Sequence, residues 1–289
     1  YEMPTVTGVQ TCALPILVIP VFPGTNCEAD SARAFEKAGA ETSVYIIKNR
    51  TSEELKTSIE ELAREIDKAH MIMIPGGFSG GDEPDGSAKF INAVFRNPKI
   101  SSAVEGLINE RKGLIIGICN GFQALIKLGL VPFGKIMPQT EDSPTLTYNR
   151  IGRHVSTMVR TGVASVKSPW FADINVGDVF TIPVSHGEGR FICKSDLFKK
   201  LAEEGQIATQ YVDYEGNPSM DIQFNPNYSF GAVEAITSPD GRIIGKMGHA
   251  ERIGDNLYKN IDGDKDMKLF EAAVNYADQI GRASCRERV

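Results

Sequence analysis

The stretch Gly113-Leu-Ile-Ile-Gly-Ile-Cys119-Asn-Gly-Phe-Gln123 runs from an apolar segment, through a cysteine, into an amphipathic helix. Its centre reads G-x-C-x-G, the cysteine counterpart of the G-x-S-x-G nucleophile elbow, in which a strand doubles back into a helix and carries the nucleophile at the tip. So tight a turn predicts that side chains at positions 117 and 121 would collide with neighbouring elements, which accounts for Gly117 and Gly121. Cys119 then stands at a helix N-terminus, where open N–H groups and the helix dipole favour the thiolate, the reactive species. A lone cysteine at a strand end is ordinarily buried and inert. The paired glycines and the strand-to-helix switch mark this one as reactive.

Outward from the elbow, the N-terminal half alternates strands with helices. Leu17 to Phe22, Ser43 to Ile47, Met71 to Ile74 and Leu114 to Ile118 are short apolar runs that predict buried strands. Between them, Ala32, Phe35 and Ala38 fall at helical spacing before Gly39, and Thr51-Ser-Glu-Glu54 has capping-box form ahead of a Leu55, Ile59, Leu62, Ile66 stripe. This order predicts an α/β fold, flavodoxin-like, with a mostly parallel sheet and helices on both faces. Ligands bind beyond the strand C-termini of such sheets. Both Cys119 and the loop Pro75-Gly-Gly-Phe-Ser-Gly-Gly-Asp82 lie at such ends. After about residue 135 the pattern turns β-rich, in runs near Asp178 to Val184, Arg190 to Cys193, Ile207 to Val212, Gly231 to Thr237 and Arg242 to Met247, and it reads as antiparallel. Asp266 to Asp278 predicts a closing helix. Without internal repeats or low-complexity linkers, the chain reads as one unit.

The 289 residues, 42% hydrophobic and 24% charged with a net charge of −6, are enough for a sizeable core and supply no basic stripe for nucleic acid. No apolar run has the length of a membrane span, and no secretory signal is evident. Five cysteines without regular spacing point to a reducing compartment, hence a cytoplasmic location, rather than a disulfide framework. The two ends differ from the rest. Val6 to Ile16 and Ile280 to Val289 resemble in-frame translations of short-read sequencing adapters, so residues 1–16 and 280–289 are expected to be artefact and 17–279 the domain.

A thiol nucleophile needs a base, and the base a third group to orient it. Of the four histidines, His70 and His154 adjoin strands and read as structural. His249, in Gly248-His-Ala-Glu251, has a carboxylate two positions on. On extended backbone the two side chains point the same way, so Glu251 can hold one imidazole nitrogen while the other faces the thiol. His186, in Pro183-Val-Ser-His-Gly-Glu-Gly-Arg190, repeats the spacing and ranks second as base; its glycine-flanked setting suits contact with a ligand or partner. A carbonyl attacked by thiolate needs oxyanion donors, for which the N–H of Asn120 and those of Gly77 or Phe78 are candidates. The glycine loop lacks the phosphate-binding fingerprints.

Together these residues resemble the triad-type class I glutamine amidotransferases. More narrowly, Phe22-Pro-Gly-Thr-Asn-Cys27, Gly76-Gly-Phe-Ser79, Cys119-Asn-Gly121, Ser185 to Arg190 and Asn225-Pro-Asn227 resemble the glutaminase domain of phosphoribosylformylglycinamidine synthase, over nearly all of Leu17 to Asp278. The resemblance implies Cys119 as nucleophile, His249 as acid and base, Glu251 as its holder, and Gly77, Phe78, Asn120, Gln123 and His186 around the oxyanion and substrate. It implies glutamine as substrate and a synthetase module as partner. It implies no metal or cofactor here, ATP and magnesium belonging to the absent module. Gly248 and Ala250 stand where the family usually has proline, a departure that bears on the rigidity of the turn rather than its chemistry. The length and β-rich stretch fit a domain of the long single-chain synthase better than a free-standing subunit. Two other readings compete: another class I cysteine amidotransferase or γ-glutamyl hydrolase, and a non-catalytic partner module of the same fold.

Overall fold

The computed structural model describes residues 14–79 and 87–286, with side chains described to residue 282. Gly80 to Asp82 of the glycine loop, the segment 1–13 and residues 287–289 lie outside the described residues.

The N-terminal half alternates as its sequence predicts. It comprises β1 (Ile16–Val21), α1 (Glu28–Lys37), β2 (Glu41–Ile46), α2 (Ser52–Lys68), β3 (Met71–Ile74), α3 (Lys89–Phe95), α4 (Pro98–Asn109), β4 (Leu114–Ile118) and α5 (Asn120–Leu128). Every residue of β3 and β4 is buried, as expected of parallel strands covered on both faces. Thr51 caps α2 by accepting the Glu54 N–H at 3.1 Å, while the Glu54 carboxylate turns back to the Arg50 N–H at 3.1 Å instead of completing the box on Thr51. The helices fall into two groups that pack among themselves, α2, α3, α4 and α5 in one.

The second half contains α6 (Leu130–Phe133), β5 (Thr145–Thr147), β6 (Val155–Val163), β7 (Val179–His186), β8 (Arg190–Ile192), α7 (Ser195–Glu203), β9 (Ile207–Tyr211), β10 (Val233–Thr237), β11 (Ile243–Lys246) and α8 (Leu269–Arg286). α8 joins α1 in the other helix group, with the Phe270 ring edge-on to Phe35 at 4.9 Å.

The β-rich half does not form a sheet of its own. Nine strands make one sheet in the order β2-β1-β3-β4-β11-β10-β9-β6-β7, and β5 pairs with β8 beside it. The expectation that the late runs are antiparallel holds for β7 on β6, β8 on β5, β9 on β10 and β10 on β11, and β11 in addition lies parallel to β4 on its other side, with Lys246 opposite Ile118. Local patterning makes β11 a buried strand without naming its neighbour, and that neighbour is the nucleophile strand. β6 and α7 carry no clear periodic signal, since β6 exposes the adjacent Ser156 and Thr157 and buries its last three residues together, and α7 buries fully only Leu201. The closing helix begins at Leu269, later than Asp266, and continues to Arg286, because nothing after Asp278 breaks it.

Candidate functional site

At the end of β4 the backbone turns through Cys119, whose φ of 54° and ψ of −105° lie where side chains are strained by roughly 1–3 kcal/mol. Two glycines permit this. A Cβ on Gly121 would sit 1.9 Å from the Ile74 carbonyl oxygen, and one on Gly117 would sit 2.6 Å from Gly121 backbone. α5 then runs through the interior with Asn120 to Ile126 all buried, Phe122 filling the space above Gly245. Full burial of such a side chain contributes roughly 2–3 kcal/mol, which anchors the elbow. The Cys119 N–H donates to the Lys246 carbonyl at 2.9 Å, and its thiol donates to the Ser185 carbonyl at 3.5 Å.

The strand beside the elbow delivers the base. His249 follows β11 by three residues, is 1% exposed, and bonds Glu251 Oε1 through Nδ1 at 2.6 Å. This contact arises across a turn rather than along extended backbone. The Ala250 N–H returns to the Gly248 carbonyl at 3.1 Å and the Arg252 N–H to the His249 carbonyl at 3.2 Å. Burial would lower the imidazole's proton affinity, but the Glu251 carboxylate, the Cys119 and Cys27 thiols and the hydrogen bond to Glu251 outweigh it and hold the pKa well above 6.5. Nε2 is buried and makes no formed hydrogen bond among the described residues. A Cβ built on Gly76 would lie 2.8 Å from His249 Cε1 and 3.5 Å from Cys119 Cβ, so ring and thiol border the same glycine and face each other across a short gap.

Cys27 joins them without any signal in the spacing. Its Sγ lies 4.0 Å from His249 Nδ1 and accepts from Arg252 Nη2 at 3.1 Å. The Cys27, His249 and Glu251 donor atoms lie within 4.8 Å of one another, a set a metal ion could use. However, Nδ1 is already committed to Glu251, and a guanidinium on the sulfur opposes a second cation.

Cys119 opens into a cleft of about 220 Å³. Of the residues expected around the substrate, Gly77, Phe78, Gln123 and His186 line it, and Asn120 opens the helix behind. Three of them are also engaged by neighbouring groups. The Phe78 N–H donates to the Gly24 carbonyl at 2.8 Å, so Gly77 is the better donor candidate in the glycine loop and Phe78 contributes its ring. Gln123 is braced at both ends, accepting from Asn120 Nδ2 at 2.8 Å and donating to the Glu188 carbonyl at 2.7 Å. His186 pairs with Asn149 at 3.2 Å, because β7 ends at His186 and the following turn sends the Glu188 carboxylate to the Ser87 N–H at 3.2 Å. Burial, then the charges of His249 and His154, push the His186 pKa down to about 3, so it is a neutral imidazole and no rival base. His154 is no buried structural histidine but lies in the cleft on Ser185 Oγ at 3.0 Å, beside Arg153 and Tyr148. The loop before β6 carries these three with no motif to announce them. His70 is structural, its Nδ1 accepting the Ile16 N–H at 3.1 Å.

A family model described as CobB/CobQ-like glutamine amidotransferase domain matches residues 15–277. The phosphoribosylformylglycinamidine synthase subunit PurQ of Methanococcus maripaludis is 36% identical over 256 residues, covering 87% of this chain and 86% of that protein. The subunit of the same name from Prochlorococcus marinus is 32% identical over 245 residues, covering 85% of this chain and 94% of that protein. Among solved structures, PurLQS from Thermotoga maritima superposes with a TM-score of 0.64 at 26% identity, over 91% of this chain and 99% of the matched one.

Proposed function

The chain belongs to the family of CobB/CobQ-like glutamine amidotransferase domains, and from that premise we propose that it is the glutaminase of a phosphoribosylformylglycinamidine synthase. It hydrolyses glutamine to glutamate and ammonia for a synthetase partner that converts formylglycinamide ribonucleotide to formylglycinamidine ribonucleotide in purine synthesis. The curated relatives, named as subunits of that synthase, support the reading. The observation that carries it is the meeting of the strained Cys119 with a buried imidazole held by Glu251 at 2.6 Å.

The Cys119 thiolate attacks the side-chain amide carbon of glutamine, and the C–N bond breaks as the protonated imidazole of His249 gives its proton to the departing nitrogen, releasing ammonia. Glu251 stabilises the imidazolium and fixes its orientation. The N–H groups of Asn120 and Gly77 are the oxyanion donors in this proposal. Water then attacks the γ-glutamyl thioester, His249 takes its proton, and the C–S bond breaks to release glutamate and restore the thiolate beside the protonated imidazole. No cofactor or metal enters these steps; ATP and magnesium act in the synthetase module. No helix among the described residues is long and apolar enough to cross a membrane. A cytoplasmic location is part of the proposal, supported by the free thiols of Cys27, Cys119 and Cys193.

The test is mass spectrometry of the chain after exposure to a glutamine-mimicking chloroketone, with ammonia release measured in the presence of the synthetase partner, ATP and formylglycinamide ribonucleotide. A single adduct on Cys119 and glutamine-dependent product are expected. An unmodified Cys119 would sink the proposal.

A further inference from the structure

Beneath the turn that carries His249 lies an ion pair that the chemistry above does not use. Lys246 and Glu234 are both 0% exposed, with Nζ 3.2 Å from Oε1. Both reach the peptide groups of Gly248, the residue before His249. Glu234 Oε1 accepts the Gly248 N–H at 2.6 Å, and Lys246 Nζ donates to the Gly248 carbonyl at 3.0 Å. Thr209 occupies the second carboxylate oxygen, so the acid is engaged on both sides. The main chain of Lys246 meanwhile accepts the Cys119 N–H. One residue therefore grips the nucleophile with its backbone and the approach to the base with its side chain.

The turn needs such a grip. Gly248-His-Ala has little rigidity of its own, since glycine permits more backbone conformations than any other residue. Nor can bulk replace it, for a Cβ on Gly248 would lie 2.1 Å from Ile182 Cδ1 and 3.0 Å from Glu234 Oε1. A buried charged pair is a poor source of stability compared with apolar residues of similar volume, so its presence here calls for another role. We propose that Glu234 and Lys246 are positioning residues that clamp both peptide groups of Gly248, setting the His249 ring at its distance from Cys119. This rests on the glutaminase reading above and deepens it.

Two double variants of the full chain separate the clamp from the mere burial of charge. Glu234→Gln with Lys246→Met is neutral and keeps an oxygen for the Gly248 N–H; Glu234→Leu with Lys246→Met is neutral and has none. The readout is inactivation by the glutamine-mimicking chloroketone, resolved into its maximal rate and half-saturating concentration. The Gln/Met chain keeps the contact to the Gly248 N–H and loses the one to its carbonyl, so its maximal rate is expected to fall about three- to fivefold, and an undiminished rate would overturn the part assigned to Lys246. The Leu/Met chain is expected to lose it ten- to a hundredfold, with half-saturation changed less than threefold and melting temperatures of the two variants within a few degrees. Equal rates in the two variants would overturn the clamp while leaving the glutaminase reading intact; no labelling of the unmodified chain would overturn both. Should the Leu/Met chain fail to fold, amide exchange in the unmodified chain decides. Gly248 N–H exchange at least a hundredfold slower than in unstructured peptide supports the clamp, and exchange at the unstructured rate overturns it.

Discussion

The backbone N–H of Cys119 donates to the carbonyl oxygen of Lys246 at 2.9 Å, and His249 follows Lys246 by three residues. Thiol and imidazole thus arrive on adjacent parallel strands, β4 and β11, in one register. A slip of one residue would turn the strand's side chains to the other face, so strand pairing itself sets the approach of base to nucleophile.

Cys119→Ala removes the sulfur, its weak contact to the Ser185 carbonyl at 3.5 Å and its share in holding the His249 proton, and leaves the packing of the elbow in place. Glutamine hydrolysis is expected to fall at least about a thousandfold, while the melting temperature moves by no more than about 4 °C. Calorimetry beside an ammonia assay checks both.

Glu251→Gln keeps the shape of the His249 partner and discards its charge. By the logic of an orienting carboxylate, turnover is expected to drop by about a hundred- to ten-thousandfold. Stability carries a second signature. The His249 pKa is raised, so its contribution is fully present below the unfolded value near 6.5 and is lost as pH climbs through the raised folded one. Urea unfolding across pH 6 to 10 should show that alkaline decline in the unmodified chain and a shallower one in the variant.

His186 acts in the opposite sense. Its pKa is held down to about 3, chiefly by burial, so the unfolded chain binds a proton that the folded chain refuses as pH falls below about 6.5. Stability is lost on acidification at up to about 1.4 kcal/mol per pH unit until the folded value is reached. His186→Gln should make the loss between pH 7 and pH 4.5 smaller by about 2–3 kcal/mol, read by urea unfolding at the two values. An unchanged acid sensitivity would contradict this.

Gly121→Ala and Gly187→Ala form a matched pair. The first places a methyl 1.9 Å from the Ile74 carbonyl oxygen, and the second meets nothing within 4 Å among the described residues. The first is expected to cost about 3 kcal/mol or more and to abolish labelling of Cys119, the second less than about 0.5 kcal/mol. Chemical denaturation of both variants measures the contrast.

Much of this was legible along the chain because it depends on neighbours in sequence. β1, β3 and β4 read as strands since burial on both faces leaves them almost uniformly apolar. Gly117 was readable because the elbow's own backbone excludes a side chain there, whereas at Gly121 the obstacle is the Ile74 carbonyl of the neighbouring β3. Where the reading differed, longer-range geometry intervened. The second His-x-Glu fails because the turn after β7 carries Glu188 to Ser87, and the Phe78 amide is taken by Gly24 from another loop.

By itself, the order of residues determined a strand, a sharp bend and a helix around Cys119, and placed an acid two positions after a late histidine. These follow from local sterics and periodicity, which act over a few residues. Residue order also ranked His249 ahead of His186; only the tertiary structure decided that His186 is tied to Asn149, that Cys27 and Arg252 crowd the His249 ring, and that a buried Lys246–Glu234 pair holds its turn. The contacts of Cys27 and Arg252 join segments more than two hundred residues apart, and the Lys246–Glu234 pair forms only across the β10–β11 hairpin; neither is written in the spacing of neighbours.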